Sequence, residues 1–384
     1  MLLTGTGRLA PAGVSPWALQ VRDGRIAWVG AASDAPDDDE RVELGSALVT
    51  LGLVDSHTHP VFAGDRSDEA AARLEGAPYT GGGILRTVAA TRAADDATLE
   101  ALVESRLRAA LAAGTTTVEC KSGYGLSLDE EVRHLRIIRR VAGRVPLHVV
   151  TTFLGAHAVP DGATVDEYAA HVAEDMIPAV AAEGLAEFVD VFADAGFFDL
   201  ASTERIAVAA KDAGMGLRLH AEQLARTGAA ELGARLGAAS VDHLEQLDAA
   251  GVAVLAASDT VATLVPAPAI VLRDSLPPAR SLLDVGATVA LASDANAGTY
   301  SALGTMPLVI GLGATLLGMS IGEALMAATA GGAAALNRAE LGTLRVGASA
   351  DLVAWDAEHE GAFALRLGAV RPLRTWISGE EFGL

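Results

Sequence analysis

His57-Thr58-His59 is the first pair of side chains in this sequence whose types and spacing could do chemistry together. In an extended strand, residues i and i+2 point to the same side, so the two imidazoles can converge on one ion. Alone, the pair is as compatible with packing as with metal binding. Three further ligand-type residues change that balance: His220, His243 and Asp294 each end an apolar run that reads as a strand. Neutral imidazole and carboxylate suit Zn2+ or Fe2+. Such groups gathered at one end of one barrel are hard to attribute to packing, so the residues point to a metal site.

The elements that would position these residues follow from the periodicity. Strand candidates fall at 51–55, 115–120, 147–154, 187–193, 216–220, 239–243, 259–265 and 287–293, separated by helical patterns of the length a βα unit needs. Ser127-Leu128-Asp129-Glu130 and Thr164-Val165-Asp166-Glu167 read as capping boxes, and Gly114 and Gly214 follow helical patterns as C-caps. Eight strands with intervening helices predict an α/β fold, a (β/α)8 TIM-like barrel with its site at the C-terminal ends of the strands. An open doubly wound sheet is the alternative. Trp17–Val21 and Arg25–Val29 flank a turn at Asp23-Gly24, a hairpin signal, and Ala350–Trp355 is another strand-like run. The expected division is a barrel over 51–342 and a small β-sandwich composed of 1–50 and 343–384.

Composition supports the barrel and narrows the partners. Hydrophobic residues make up 51% of the 384 but aromatics only 4%, so Ala, Val, Leu and Ile must fill the core, as in a buried parallel sheet. The formal charge of −21 repels phosphate backbones and anionic headgroups, which argues against nucleic acid and membrane surfaces as partners. It also means that an anionic substrate needs a cation placed for it. Residues 295–322 are uncharged and largely apolar, but Asn296, Pro307 and scattered Gly and Thr interrupt them, so a buried helix beside the barrel is expected rather than a membrane span. One cysteine, Cys120, permits neither an intrachain disulfide nor a thiolate cluster, and no basic and apolar leader opens the sequence. Both fit a cytoplasmic protein.

The run Gly52-Leu53-Val54-Asp55-Ser56-His57-Thr58-His59 resembles the opening motif of the amidohydrolase superfamily, with His220, His243 and Asp294 at its strand-five, strand-six and strand-eight positions. Longer stretches resemble the imidazolonepropionase family within it: Val61-Phe62-Ala63-Gly64-Asp65-Arg66, Gly81-Gly82-Gly83-Ile84, Thr91-Arg92-Ala93-Ala94, Lys121-Ser122-Gly123-Tyr124-Gly125, Phe153-Leu154-Gly155-Ala156-His157-Ala158 and His220-Ala221-Glu222-Gln223-Leu224. The likeness runs in order over roughly residues 50–340. It implies hydrolysis of the cyclic amide C–N bond of 4-imidazolone-5-propanoate to N-formimidoyl-L-glutamate, a step of histidine degradation, by a homodimer acting on a small anionic molecule.

The resemblance also implies roles. His57, His59, His220 and Asp294 would hold one divalent metal, Zn2+ or Fe2+. Binuclear members bridge their ions with a modified lysine on strand four, and strand four here has none, Lys121 ending strand two instead. A bound metal can lower the pKa of water from ~15.7 toward ~7. Asp294 would take the proton from that water and pass it to the leaving nitrogen. His243 would face the water rather than the metal, orienting it or stabilising the oxyanion. Tyr124, His157 and Gln223 stand at positions that contact the ring. Arg66 matches a carboxylate-binding arginine, against the plainer reading of a surface arginine paired with Asp65 or Asp68, and Asn296, Gly298 and Thr299 match further ligand contacts. His134, His148, His171, His359 and Cys120 read as structural or solvated.

Three departures from the family pattern bear on the pocket wall. The stretch around Pro78-Tyr79-Thr80 is short, Ala295, Ala297 and Thr299 replace a bulky residue, a proline and a serine, and the strand-seven exit Val265-Pro266-Ala267-Pro268-Ala269 lacks an aromatic. The competing readings are an amidohydrolase that opens a related cyclic amide or deaminates a heterocycle, and a non-catalytic barrel.

Overall fold

The computed structural model describes residues 1–10, 13–76 and 83–382. The shortened stretch at 78–80 lies outside them. Eight parallel strands stand side by side in chain order: Leu53–Asp55, Thr115–Lys121, His148–Ala156, Phe188–Ala193, Gly216–Ala221, Ser240–His243, Val261–Leu264 and Val289–Leu291. These are the expected strands. Their residues are buried almost throughout, as a parallel sheet sheathed by helices requires.

The seam between strands eight and one is stitched above the strands rather than along them. Thr58 bridges Ala295, with His59 N donating to Ala295 O at 2.9 Å and Asp294 N to His57 O at 3.0 Å. Just below, Asp55 accepts from Ser293 N at 2.9 Å and Ser293 Oγ at 2.6 Å. The seam therefore brings His57, His59 and Asp294 together through their own backbone.

Of the expected helix caps, all but the Ser127 box form. Thr164 and Glu167 form the expected capping box, and Gly114 and Gly214 lie just beyond helix C-caps with φ of +86° and +73°. Ser127 makes no side-chain cap. Glu131 instead turns back to accept from the N–H groups of Gly123, Gly125 and Leu126 at 2.7–2.9 Å. Those buried donors have more to lose without an acceptor than an exposed helix end does, because water can satisfy the latter.

Two four-stranded sheets lie outside the barrel. One runs Arg25–Ala31, Trp17–Arg22, Leu2–Gly5, Arg41–Glu43, and the other Glu380–Phe382, Pro372–Ile377, Leu352–Trp355, Val49–Leu51. Leu3, Trp17 and Leu19 meet Val49, Leu352 and Trp376 in one apolar core between them. The Asp23-Gly24 turn joins its two strands with φ of +48° and +73°, the left-handed pair that a two-residue hairpin turn needs. The uncharged stretch after Asp294 crosses the barrel mouth and enters a mostly buried helix, Met306–Thr315. Among the described residues, no helix is long and apolar enough to cross a membrane.

Candidate metal centre and active site

Three imidazole nitrogens face one another at the barrel mouth. His57 Nε2 and His59 Nε2 are 3.2 Å apart, and His220 Nε2 is 3.4 Å from His59 Nε2. Asp294 Oδ1 lies 3.6 Å from the first and 3.4 Å from the second. A tetrahedral ion with ligands at about 2.0–2.1 Å has edges of about 3.3 Å, and these four separations are close to that value. The protonation pattern agrees. His57 Nδ1 bonds Asp242 at 2.6 Å and His220 Nδ1 bonds Asp190 at 3.1 Å, so both rings carry their proton on Nδ1 and turn bare lone pairs inward. Burial, aided by the Lys121 charge, holds His57 well below the ordinary imidazole range; burial likewise lowers His59. Burial alone would raise Asp294, but the imidazoles of His59 and His243 hold its carboxyl below the usual carboxylate value. Imidazoles around a carboxylate are the donor set of a divalent transition ion.

His243 completes the ring of side chains, and with His57 and Asp294 it forms a second group whose candidate ligand atoms lie within 4.8 Å of one another, as do those of His57, His59 and His220. His243 Nε2 is 3.9 Å from Asp294 Oδ2, and its Nδ1 is 3.6 Å from Glu245. Burial would lower its pKa, yet the carboxylates of Glu245 and Asp294 raise it to about 9. His243 and Asp294 both sit at positive φ, +84° and +46°, a conformation costly for such residues and concentrated at functional sites.

Tyr124, His157, Gln223, Asn296 and Thr299 line the same cavity as His59, His220, His243 and Asp294. His157 stacks on His59, ring centroids 5.2 Å apart, and is held by Gly123 O at 2.9 Å from its Nδ1. Gln223 sits on a turn whose N–H groups, from Gln223, Leu224 and Ala225, all donate to Asp194. The Asn296 amide is spent within its own loop, accepting from Gly298 N and Thr299 N and donating to Asp294 O and Thr299 Oγ1.

Arg66 and Gly298 lie one cavity further out, with Thr299 lining both spaces. Arg66 is buried and grips Glu69 through Nε at 2.8 Å and Nη2 at 2.6 Å. Asp65 accepts from Ser67 N, and Asp68 pairs with Arg86. Glu69 lies one helical turn from Arg66 and so presents a carboxylate to the planar fork. Gly298 packs on the same guanidinium: a Cβ there would come within 2.1 Å of Nη1.

Sequence reasoning passed over the layer beneath. Glu119, Lys121, Asp190, Arg218 and Asp242 are buried in mutual contact. Their signal was present: charged residues inside otherwise apolar strands, as in Val189-Asp190-Val191, are rarely buried without partners. The remaining histidines have local explanations. His148 pairs with Asp351, His171 with Asp175, His134 is buried in its helix, and His359 is exposed. Burial pushes the Cys120 thiol well up, which suits a packing residue rather than a nucleophile.

The amidohydrolase family model matches residues 48–382, the barrel together with the C-terminal strands. The chain belongs to the amidohydrolase family. Within it, imidazolonepropionase from Xanthomonas euvesicatoria is 45% identical over 366 residues, covering 92% of this chain and 91% of that protein. Imidazolonepropionase from Salinispora tropica is 48% identical over 355 residues, 91% and 88% of the two chains. This amidohydrolase thus stands in the imidazolonepropionase branch, among hydrolases of carbon–nitrogen bonds. The fold is shared more widely. The crystal structure of 5-methylcytosine deaminase from Klebsiella pneumoniae superposes with a TM-score of 0.81 at 16% identity, covering 100% of this chain and 97% of that one.

Proposed function

We propose that this amidohydrolase hydrolyses the cyclic amide C–N bond of 4-imidazolone-5-propanoate to give N-formimidoyl-L-glutamate, using one divalent ion, Zn2+ or Fe2+, held by His57, His59, His220 and Asp294. The observation that carries this reading is the convergence of three imidazole nitrogens and one carboxylate oxygen, with four separations of 3.2–3.6 Å, in a chain of the imidazolonepropionase branch. The absence of a lysine from strand four, Phe188–Ala193, supports a single ion. When bound, the ion polarises the ring carbonyl and acidifies the attacking water.

The side chains do the rest. Asp294, with Oδ2 turned toward His243, accepts the proton of the attacking water and returns it to the ring nitrogen as the C–N bond breaks. His243, lying between the carboxylates of Glu245 and Asp294, donates toward the oxygen that gains charge. Tyr124, His157 and Gln223 fix the ring. The propionate extends past Thr299 toward Arg66, whose Nη1 edge lies along the Gly298 backbone. Asn296 shapes this loop through its four internal hydrogen bonds.

The test is to follow the absorbance of imidazolone propionate with purified protein, with and without chelator, while assaying ammonia. Metal-dependent loss of absorbance without ammonia is expected. Ammonia release would indicate deamination, and an unchanged substrate would remove the assignment.

A further inference from the structure

Directly beneath the imidazoles lies a sealed set of charges that the reaction above does not use. Lys121 Nζ donates to Glu119 Oε1 and to Asp190 Oδ2, each at 2.7 Å, and stands 4.0 Å from Asp242 Oδ2. Arg218 lies on the far side, Nη2 bonded to Asp242 at 2.9 Å and Nε 3.2 Å from Glu119. All five side chains are fully buried. Three carboxylates against two cations leave this contact set with one negative charge; without the ammonium it would carry two. Removing one partner of a buried charge set leaves an uncompensated charge that must find a counter-ion or destabilise the fold.

The geometry around Nζ is that of an occupied cation site. Carboxylate oxygens from three strands, two, four and six, face Nζ, and Thr152 Oγ1 on strand three orients one of them by donating to Glu119 Oε1 at 2.6 Å. Carboxylate oxygens are hard donors of the kind that Mg2+ and Mn2+ take. Asp190 and Asp242 also face the Nδ1 atoms of His220 and His57, so the same carboxylates would bring a second ion close to the first.

We propose that the Lys121 ammonium stands in the place of a second cation: it fills a latent oxygen site formed by Glu119, Asp190 and Asp242 and so restricts the barrel to one divalent ion. This rests on the one-ion reading of the His57, His59, His220 and Asp294 site. Lys121 is thus a positioning residue. It holds Asp190 against His220, and it excludes a competing ion by already supplying its charge.

The experiment compares wild type, Lys121→Ala and the charge-balanced double variant Lys121→Met/Glu119→Gln. Each is loaded with zinc, dialysed against Mn2+ and analysed for both elements, and thermal unfolding is followed with and without Mn2+. Wild type should hold one equivalent of zinc and take up no Mn2+. Lys121→Ala should take up one equivalent of Mn2+ per chain, and its unfolding temperature should rise with Mn2+ while that of wild type does not. The double variant restores the net charge and should bind Mn2+ at least tenfold more weakly than Lys121→Ala. A folded Lys121→Ala protein that holds zinc and takes up no more Mn2+ than wild type overturns the proposal. So does a Lys121→Ala protein that millimolar Mn2+ cannot fold, or a double variant that binds Mn2+ as tightly. Wild type holding two zinc ions, or none, would instead defeat the one-ion reading, and the wild-type arm alone reports it.

Discussion

His243 and Asp242 are neighbours in sequence that point to opposite ends of the same problem. His243 faces the cavity, whereas Asp242 faces away and bonds the Nδ1 of His57. Replacing His243 with Ala should lower turnover by about 10²–10³, the scale of losing one oxyanion donor, while elemental analysis finds the metal still bound. Loss of metal with activity would make His243 a ligand instead. Asp242→Asn should act the other way round. It leaves the cavity lining in place but weakens the orientation and basicity of His57, so metal affinity in competition with a chromophoric chelator should fall about 10–100-fold. An unchanged affinity would mean that the Asp242 carboxylate serves the fold alone.

Among the elements, the exit loops of the strands depend on buried carboxylates. Asp194 gathers three N–H groups at the turn carrying Gln223, as Glu131 does for the loop carrying Tyr124. Asp194→Ala should therefore raise KM with zinc content unchanged; zinc loss would show that the turn also supports His220. His134, inside the helix Leu128–Ala142, gives a pH signature. Burial, with Arg133 adding, lowers its pKa from 6.5 to about 4. The folded imidazole resists protonation, so its contribution is intact above pH 6.5 and is lost as the pH falls toward 4. Urea unfolding at pH 7 and pH 4.5 should show wild type losing about 2–3 kcal/mol more than His134→Leu. Equal losses would refute this. The strand ends carrying His57, His220 and Asp294 were readable in the sequence because apolar periodicity and turn signals are local. The Ser127 cap was misread, and Glu69 was missed as partner of Arg66, because both depend on which buried donor most needs an acceptor. That is decided by the packed structure. The carboxylates Glu119, Asp190 and Asp242 escaped notice for the same reason: their partners come from other strands.

For the molecule as a whole, a formal charge of −21 surrounds a site proposed to take an anion. The repulsion is long-ranged, while Arg66 acts at contact. Raising ionic strength from 0.01 to 0.15 M shortens the screening length from about 30 to 8 Å, so KM should fall as salt rises, about twofold or more, before contact pairing weakens. A KM that climbs steadily with salt would mean that a local positive field dominates. The barrel also lies, in sequence, between the two halves of the sandwich. Trp355 Nε1 donates to Thr50 Oγ1 at 2.9 Å across 305 positions of chain, and Val49–Leu51 pairs antiparallel with Leu352–Trp355. At about 5–20 residues per second, that partner leaves the ribosome some 15–60 s after its mate. Throughout that interval Leu3, Trp17 and Leu19 lack Leu352 and Trp376 of the opposing layer, so the nascent chain carries an exposed apolar face until nearly its last strand is made.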